Sequence, residues 1–170
     1  EPLGNAIGNS LEIIESIETL KGRGPKDLTE LSLTLAGEMI YLAGLAKSSK
    51  EGIKKAQVAI ADGRALEKFR ELIISQGGDG RVIDDYSLLP HTETTFAIKS
   101  SRSGYISKME CAELGLHCVK LGGGRQTADD KIDFSVGLVM NKKIGDLVVK
   151  GETLLTIHCH ENQIPLAREI

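Results

Sequence analysis

Apolar positions recur every three or four residues through the first half of the chain and every two residues through much of the second. Asn9 followed by Glu12 reads as a helix start with a capping carboxylate, and Leu11, Ile14, Ile17 and Leu20 continue at helical spacing until Lys21-Gly22 stops the run. Asp27 and Glu30 repeat the start signal after Pro25. Leu28, Leu31, Leu35, Met39, Leu42 and Leu45 then form a stripe that predicts a helix from about Leu28 to Ala46. Ser49 caps a third predicted helix carrying Ile53, Ala56 and Ile60, and Asp62-Gly63 separates it from a fourth through Leu66, Phe69 and Ile73 to Gly77-Gly78.

From Gly77 to Pro90 the composition turns to Gly, Asp, Ser and Pro, the character of a crossing between structural units. Beyond it, TTFAIKS, GYISKME, DFSVGLVMN, DLVVK and ETLLTIHC alternate as strands, with one helix from Cys111 to about Leu121 between them. In TLLTIHCH, Leu155, Ile157 and Cys159 fall on one face and Thr156, His158 and His160 on the other. The expected organisation is therefore a helical part over 1–76, a crossing segment over 77–93 and a smaller α+β domain over 94–170.

Composition narrows the function. The chain has 170 residues, 41% of them apolar, enough for one substantial core or two small ones. Its 21 basic and 24 acidic residues give a net charge of −3, and aromatics make up 4% with no Trp, so neither a basic field nor stacking platforms favour nucleic acid as a partner. No run approaches the roughly 20 apolar residues of a membrane span, and EPLGNAIGN lacks the regions of a signal peptide, which places the expected location in the cytoplasm. Cys111, Cys118 and Cys159 form no CxxC pair and are odd in number, as expected of reduced thiols. The chain opens without Met and stops in IPLAREI, which reads as an unfinished helix; a fragment of a longer protein is expected.

Three stretches invite a chemical reading. Before the first helix, Gly4 and Gly8 allow backbone carbonyls to turn toward a common point, and Glu12, Glu15 and Glu18 offer carboxylates, the donors that a hard cation requires; an acidic solvated helix face is the plainer alternative. In LGGGRQTADDKID the glycines follow a predicted helix instead of opening one, and Asp129, Asp130 and Asp133 repel anions, so a helix stop and connecting loop, with Arg125 paired to an aspartate, is expected and a phosphate cradle is not. Asp133 is expected to precede a strand starting near Phe134. His158 and His160 share a strand face but lack a third metal ligand, and His91 and His117 have no evident partner.

The short apolar runs of GDLVVKGETLLTI, spaced by Gly145-Asp146 and Lys150-Gly151-Glu152, share the spacing of lipoyl and biotinyl carrier domains, which implies a flattened sandwich of hairpins. Lys142 and Lys143 are the candidates for a modified lysine, though neither has the usual Met or Ala neighbour. A non-enzymatic carrier or binding module is thus one reading of the second half.

A second resemblance covers nearly the whole chain. PLGNAIGNSLEIIESIETLKGRGPKDLTEL, with SGYISKMECAELGLHCVKLGGGRQTADDKIDFSVGLVMNKKIGDLVVKGETLLTIH, resembles the C-terminal part of the pyrimidine-nucleoside phosphorylases, thymidine phosphorylase included. The family pattern PLGxAxGNxLEVxEAIxxLKGxGPxDL is matched from Pro2 to Leu28, and GAGRxxxxDxID and GDxVxKGExLxxIH further on. The resemblance implies that the helical part is the remainder of a large α/β domain. It implies a homodimeric pentosyltransferase of nucleoside salvage in which phosphate attacks the anomeric carbon of a uridine- or thymidine-type nucleoside, releasing the base and a pentose 1-phosphate. The family's Lys-x-Ser and Gly-Thr-Gly-Gly phosphate segments and its base-binding Arg and Lys have no counterpart here, so they are expected in a missing N-terminal segment and the fragment alone is expected to be inactive. What the resemblance does carry onto this sequence is a potassium site: the carbonyls of Leu3 and Ala6 and the side chain of Glu15, with Asn5 standing where the family often has Tyr or Ser. A related phosphorylase acting on AMP is the alternative within the same chemistry.

Overall fold

The computed structural model describes residues 1–168, and they form an α+β protein. Glu169 and Ile170, the end of the expected terminal helix, lie outside the described residues. The chain divides into two compact units: Glu1–Ile13 together with the chain from Leu89 onward, and Ile14–Leu88.

The helical unit contains most of α1 (Asn9–Leu20), then α2 (Lys26–Leu42), α3 (Ser49–Ala61) and α4 (Arg64–Ser75). Of α2, α3 and α4, only α3 starts on a side-chain cap. The Ser48 hydroxyl accepts from the Glu51 N–H at 3.3 Å, so the capping residue of α3 is Ser48, one position earlier than expected. Glycine decides how α2 meets α3: a Cβ on Gly52 would lie 2.2 Å from the Gly37 carbonyl oxygen, and one on Gly37 would lie 2.4 Å from Ile53 Cγ1. The two backbones touch because neither residue has a side chain. The opposite consequence falls on the apolar stripe of α2, where Met39 is 70% and Leu42 79% exposed. The predicted stripe exists as a helical face, but no element of the helical unit covers it.

After α4, the Gly77 and Gly78 N–H groups return to the carbonyls of Ile74 and Ile73, the expected helix stop. Two short 3-10 turns follow, Gly80–Ile83 and Tyr86–Leu88, and Val82 and Ile83 are buried. Lys21 anchors this segment by donating to the Ile83 carbonyl at 2.6 Å and the Tyr86 hydroxyl at 3.1 Å. The same hydroxyl donates to Glu18, whose carboxylate also takes Arg23 at 2.7 and 2.9 Å.

The other unit is built on an antiparallel sheet of β1 (Ala6–Ile7), β2 (Thr94–Lys99), β4 (Gly137–Met140) and β6 (Thr153–Cys159), in the order β1-β4-β6-β2. A second, two-stranded sheet pairs β3 (Gly104–Tyr105) with β5 (Leu147–Val148), and α5 (Cys111–Cys118) and α6 (Ile164–Ala167) complete the unit. Alternation decides its core. Leu155, Ile157 and Cys159 are buried as expected, and the register places Ile7, Leu138, Ile157 and Phe96 in one row across all four strands. Leu121, Val136, Met140 and Ala167 pack into the same cluster. Fully burying a side chain such as Ile157 contributes about 1.5–3 kcal/mol.

Two expected strands are shorter than their alternation suggested. Of GYISKME only Gly104 and Tyr105 form a regular strand, opposite the two residues of β5, and Ile106 closes the run by backbone bonds to Gly145 and Asp146. The strand expected near Phe134 begins at Gly137, since Asp133 holds the intervening residues in a turn.

Candidate functional site

The loop LGGGRQTADDKID is fixed at its two ends by side chains, and Asp133 is the central one. Its N–H donates to the Gly122 carbonyl at 2.8 Å, which closes the loop. Its Oδ1 accepts from the Ser135 N–H at 2.9 Å and hydroxyl at 2.5 Å, and its Oδ2 lies 2.7 Å from His160 Nε2. A second tie runs beside it: the Gln163 side chain donates to the Leu121 carbonyl at 2.8 Å while accepting from the His160 N–H at 2.8 Å. Asn9, expected to cap α1, instead donates to the Gly123 carbonyl at 3.0 Å, and Glu12 accepts from the Gly8 N–H at 2.9 Å. Three parts of the chain remote in sequence therefore converge on one glycine-rich turn.

Gly122 stops the helical run as expected: it lies inside a short π-helical turn over Val119–Gly123 and breaks it with φ of 95° and ψ of 0°. The expected pairing of Arg125 is met only as an attraction without close contact: among the described residues it makes no hydrogen bond to Asp129, Asp130 or Asp133, but its charge adds to the Thr127 and Gln126 donors that hold the Asp130 carboxyl below its ordinary value. Asp130 is held instead by the Thr127 hydroxyl at 2.7 Å and the N–H groups of Gln126 and Thr127, both at 2.8 Å. Hydroxyl and amide donors bend the loop locally, a task that a long arginine side chain performs less rigidly.

Ser135, His160 and Asp133 have the composition of a hydrolytic triad but not its wiring. In a triad one imidazole nitrogen faces the nucleophile and the other the carboxylate. Here the same Nε2 is 2.7 Å from Asp133 and 3.5 Å from the Ser135 oxygen, and the hydroxyl bonds directly to the carboxylate. The cluster is a latch. Burial raises the Asp133 pKa, but the Ser135 hydroxyl and N–H and His160 together outweigh it, leaving the carboxyl below its ordinary value.

The residues expected to bind a cation lie in and after the opening turn. Leu3 is exposed; Ala6 is buried on β1; Glu15 sits half-buried on α1, and its carbonyl accepts from the Thr19 hydroxyl at 2.8 Å. Strand β1 is an edge strand. Because the Met140 N–H donates to the Asn5 carbonyl at 2.7 Å, the Ala6↔Val139 pair is a non-hydrogen-bonded one, and the Ala6 carbonyl is directed away from β4. Along the same run the Glu12 carboxylate accepts from the Gly8 N–H, and the Glu18 carboxylate from Arg23 and the Tyr86 hydroxyl.

Among the described residues no three His, Cys, Asp or Glu side chains form a metal-binding group. His158 is half-buried, which lowers its pKa. Lys142 and Lys143, the candidate carrier lysines, are both engaged: Lys142 pairs with Glu152 at 2.6 Å, and Lys143 donates to the Pro2 carbonyl. A swinging arm requires an exposed lysine, and Lys142 is only 22% exposed. No helix among the described residues is long and apolar enough to cross a membrane.

The latch, the edge strand and the antiparallel sheet define a C-terminal α+β module closed by its own loop. Residues 105–169 match the pyrimidine nucleoside phosphorylase C-terminal domain. Over 164 residues, 96% of the chain, it is 48% identical to the pyrimidine-nucleoside phosphorylase of Staphylococcus haemolyticus strain JCSC1435 and equally to that of Staphylococcus aureus strain USA300. The chain spans 38% of the length of these relatives. The chain therefore carries the C-terminal domain of the pyrimidine-nucleoside phosphorylases and matches the C-terminal part of these relatives.

Proposed function

We propose that the protein carrying this chain is a pentosyltransferase that cleaves pyrimidine nucleosides with inorganic phosphate, yielding the free base and a pentose 1-phosphate. The observation that carries this reading is the 48% identity sustained over 96% of the chain to relatives bearing that activity in their name. The reacting groups are assigned to the portion of the protein outside this chain, so the isolated chain is expected to release no base. In this reading the full protein is a homodimer acting in the cytoplasm.

The role assigned to the chain itself is support. The Leu3 and Ala6 carbonyls and the Glu15 carboxylate are proposed to hold a potassium ion, which neutralises charge and stiffens the opening turn. This assignment is supported by the likeness of the opening motif, Pro2 to Leu28, to that of the relatives, and oxygen donors of low charge suit a large, hard, monovalent cation.

The test is the initial rate of uracil release from uridine by the full-length protein, with and without phosphate. A rate that saturates in phosphate and vanishes without it is expected; base release independent of phosphate would overturn the reading. For the cation, Glu15→Gln is expected to raise the potassium concentration needed for half-maximal stabilisation by about tenfold, and an unchanged potassium dependence of melting removes Glu15 from the site.

A further inference from the structure

We propose that the turn joining β2 to β3 is a binding site for a phosphate group, free or carried by a small phosphomonoester. This site is separate from the proposed reaction and does not rest on it. Residues 99–108, KSSRSGYISK, wrap a cavity of about 290 Å³ backed by Val148 and Leu154. Its lining contains three cations, Lys99, Arg102 and Lys108, and no carboxylate, in a chain whose net charge is −3. Like charges gathered on one short turn repel one another unless an anion lies among them.

The hydrogen bonds of the turn point the same way. Its frame is tied by the Ser100 N–H to the Glu152 carbonyl at 2.8 Å, the Gly151 N–H to the Ser100 carbonyl at 2.8 Å and the Lys150 N–H to the Ser103 hydroxyl at 3.0 Å. The Ser100 hydroxyl donates to the Arg102 carbonyl at 2.6 Å. Left over, among the described residues, are the Ser101 and Ser107 hydroxyls, the N–H groups of Ser101, Arg102 and Ser103, the Lys99 ammonium and the Arg102 guanidinium, none with an intramolecular acceptor. Of the neighbouring acids, Glu152 pairs with Lys142 and Asp146 accepts from the Lys143 N–H, while Glu110 pairs with Lys108 and so leaves Lys99 and Arg102 as the uncompensated cations of the turn. The framework is fixed while its donors are unspent.

A surplus of N–H and O–H donors with fixed positive charge matches tetrahedral oxyanions, and a guanidinium fork adds two parallel bonds to one phosphate. The volume lies at the low end of ligand cavities, which favours a phosphate or short phosphomonoester over a nucleotide.

The test is calorimetric titration of the full-length protein, without nucleoside, against inorganic phosphate and separately against glycerol phosphate, in the native protein and in the K99S/R102S double variant. The native protein is expected to bind one more phosphate per chain than the variant, or to bind at this site at least tenfold more tightly, with affinity falling as sodium chloride is raised. Tighter binding of glycerol phosphate identifies an esterified ligand, and equal binding identifies free phosphate. Both substituted side chains are exposed, and melting of the variant is measured alongside; Ser101→Ala, which removes one hydroxyl and no charge, provides a second variant, expected to weaken binding several-fold. Unchanged stoichiometry and affinity in the double variant and in Ser101→Ala would overturn the proposal.

Discussion

Asp133 and His160, 27 residues apart in sequence, meet at 2.7 Å between Oδ2 and Nε2. The contact joins the loop that follows α5 to the segment that follows β6, and the Gln163 to Leu121 bond doubles it. Asp133→Ala removes the acceptor of His160 and of both Ser135 donors. The expected loss is about 1–3 kcal/mol at neutral pH, read by urea unfolding, with faster proteolytic cleavage between Leu121 and Asp133. The Asp133 carboxyl titrates below its ordinary value in the folded protein, so its contribution is complete at neutral pH and is lost as pH falls through that lowered value. The native protein and the variant should therefore converge in strongly acid solution; a constant difference down to acid pH would remove the carboxylate from the latch.

Glu18 is a second acid-sensitive point, in the helical unit. Arg23, followed by the Tyr86 hydroxyl, holds its carboxyl at about 2, against an ordinary value of 4.5. A depressed folded value means stability that is present above pH 4.5 and disappears as pH drops toward 2. Glu18→Gln should cost about 1 kcal/mol at neutral pH and flatten the acid limb of the melting curve in that window. Identical acid limbs in the two proteins would show that Glu18 is not a determinant.

Two glycine-to-alanine changes should have opposite signs. At Gly52 the new methyl meets the Gly37 carbonyl oxygen at 2.2 Å, a backbone atom that cannot move without parting α2 from α3. The expected loss is about 1–3 kcal/mol, larger than the gain in helix propensity. At Gly115, within α5, nothing lies within 4 Å of the added methyl, and Gly115→Ala should stabilise by up to about 1 kcal/mol. Equal effects at the two sites would contradict the close crossing.

Thiol chemistry separates the cysteines. Cys111 is exposed, whereas burial pushes the Cys118 and Cys159 thiols up, with the Glu12 charge adding to the effect at Cys118. A thiolate-selective reagent at neutral pH should label Cys111 at once and the other two only on unfolding, as peptide mapping would show. Rapid native labelling of Cys159 would place it outside the core.

The helices and β6 were legible because each rests on a local repeat: Leu11 to Leu20 at helical spacing, and Leu155, Ile157 and Cys159 at every second position. The family signature was legible for a different reason, since it lies in fixed turn residues such as those around Gly4 and Gly22. Strand β1 was not: two residues, Ala6 and Ile7, carry no period, and their pairing with Val139 and Leu138 lies far along the chain. The latch was hidden for the same reason, although the spacing of Asp133 and Ser135 is a local signal for a carboxylate that bends its own turn. The extended reading of Phe134 failed because that local bond outcompetes alternation. The contact of Gly37 with Gly52 follows no sequence rule, since an interior helix glycine looks only like weak helix propensity until its neighbour is known.

The proposed phosphorolysis is tested most directly by phosphorus NMR of the full-length protein incubated with uridine and inorganic phosphate. The expected result is consumption of phosphate, appearance of a pentose 1-phosphate resonance and release of uracil in equal amount. Release of uracil with phosphate unconsumed, or no release from any pyrimidine nucleoside, would contradict it.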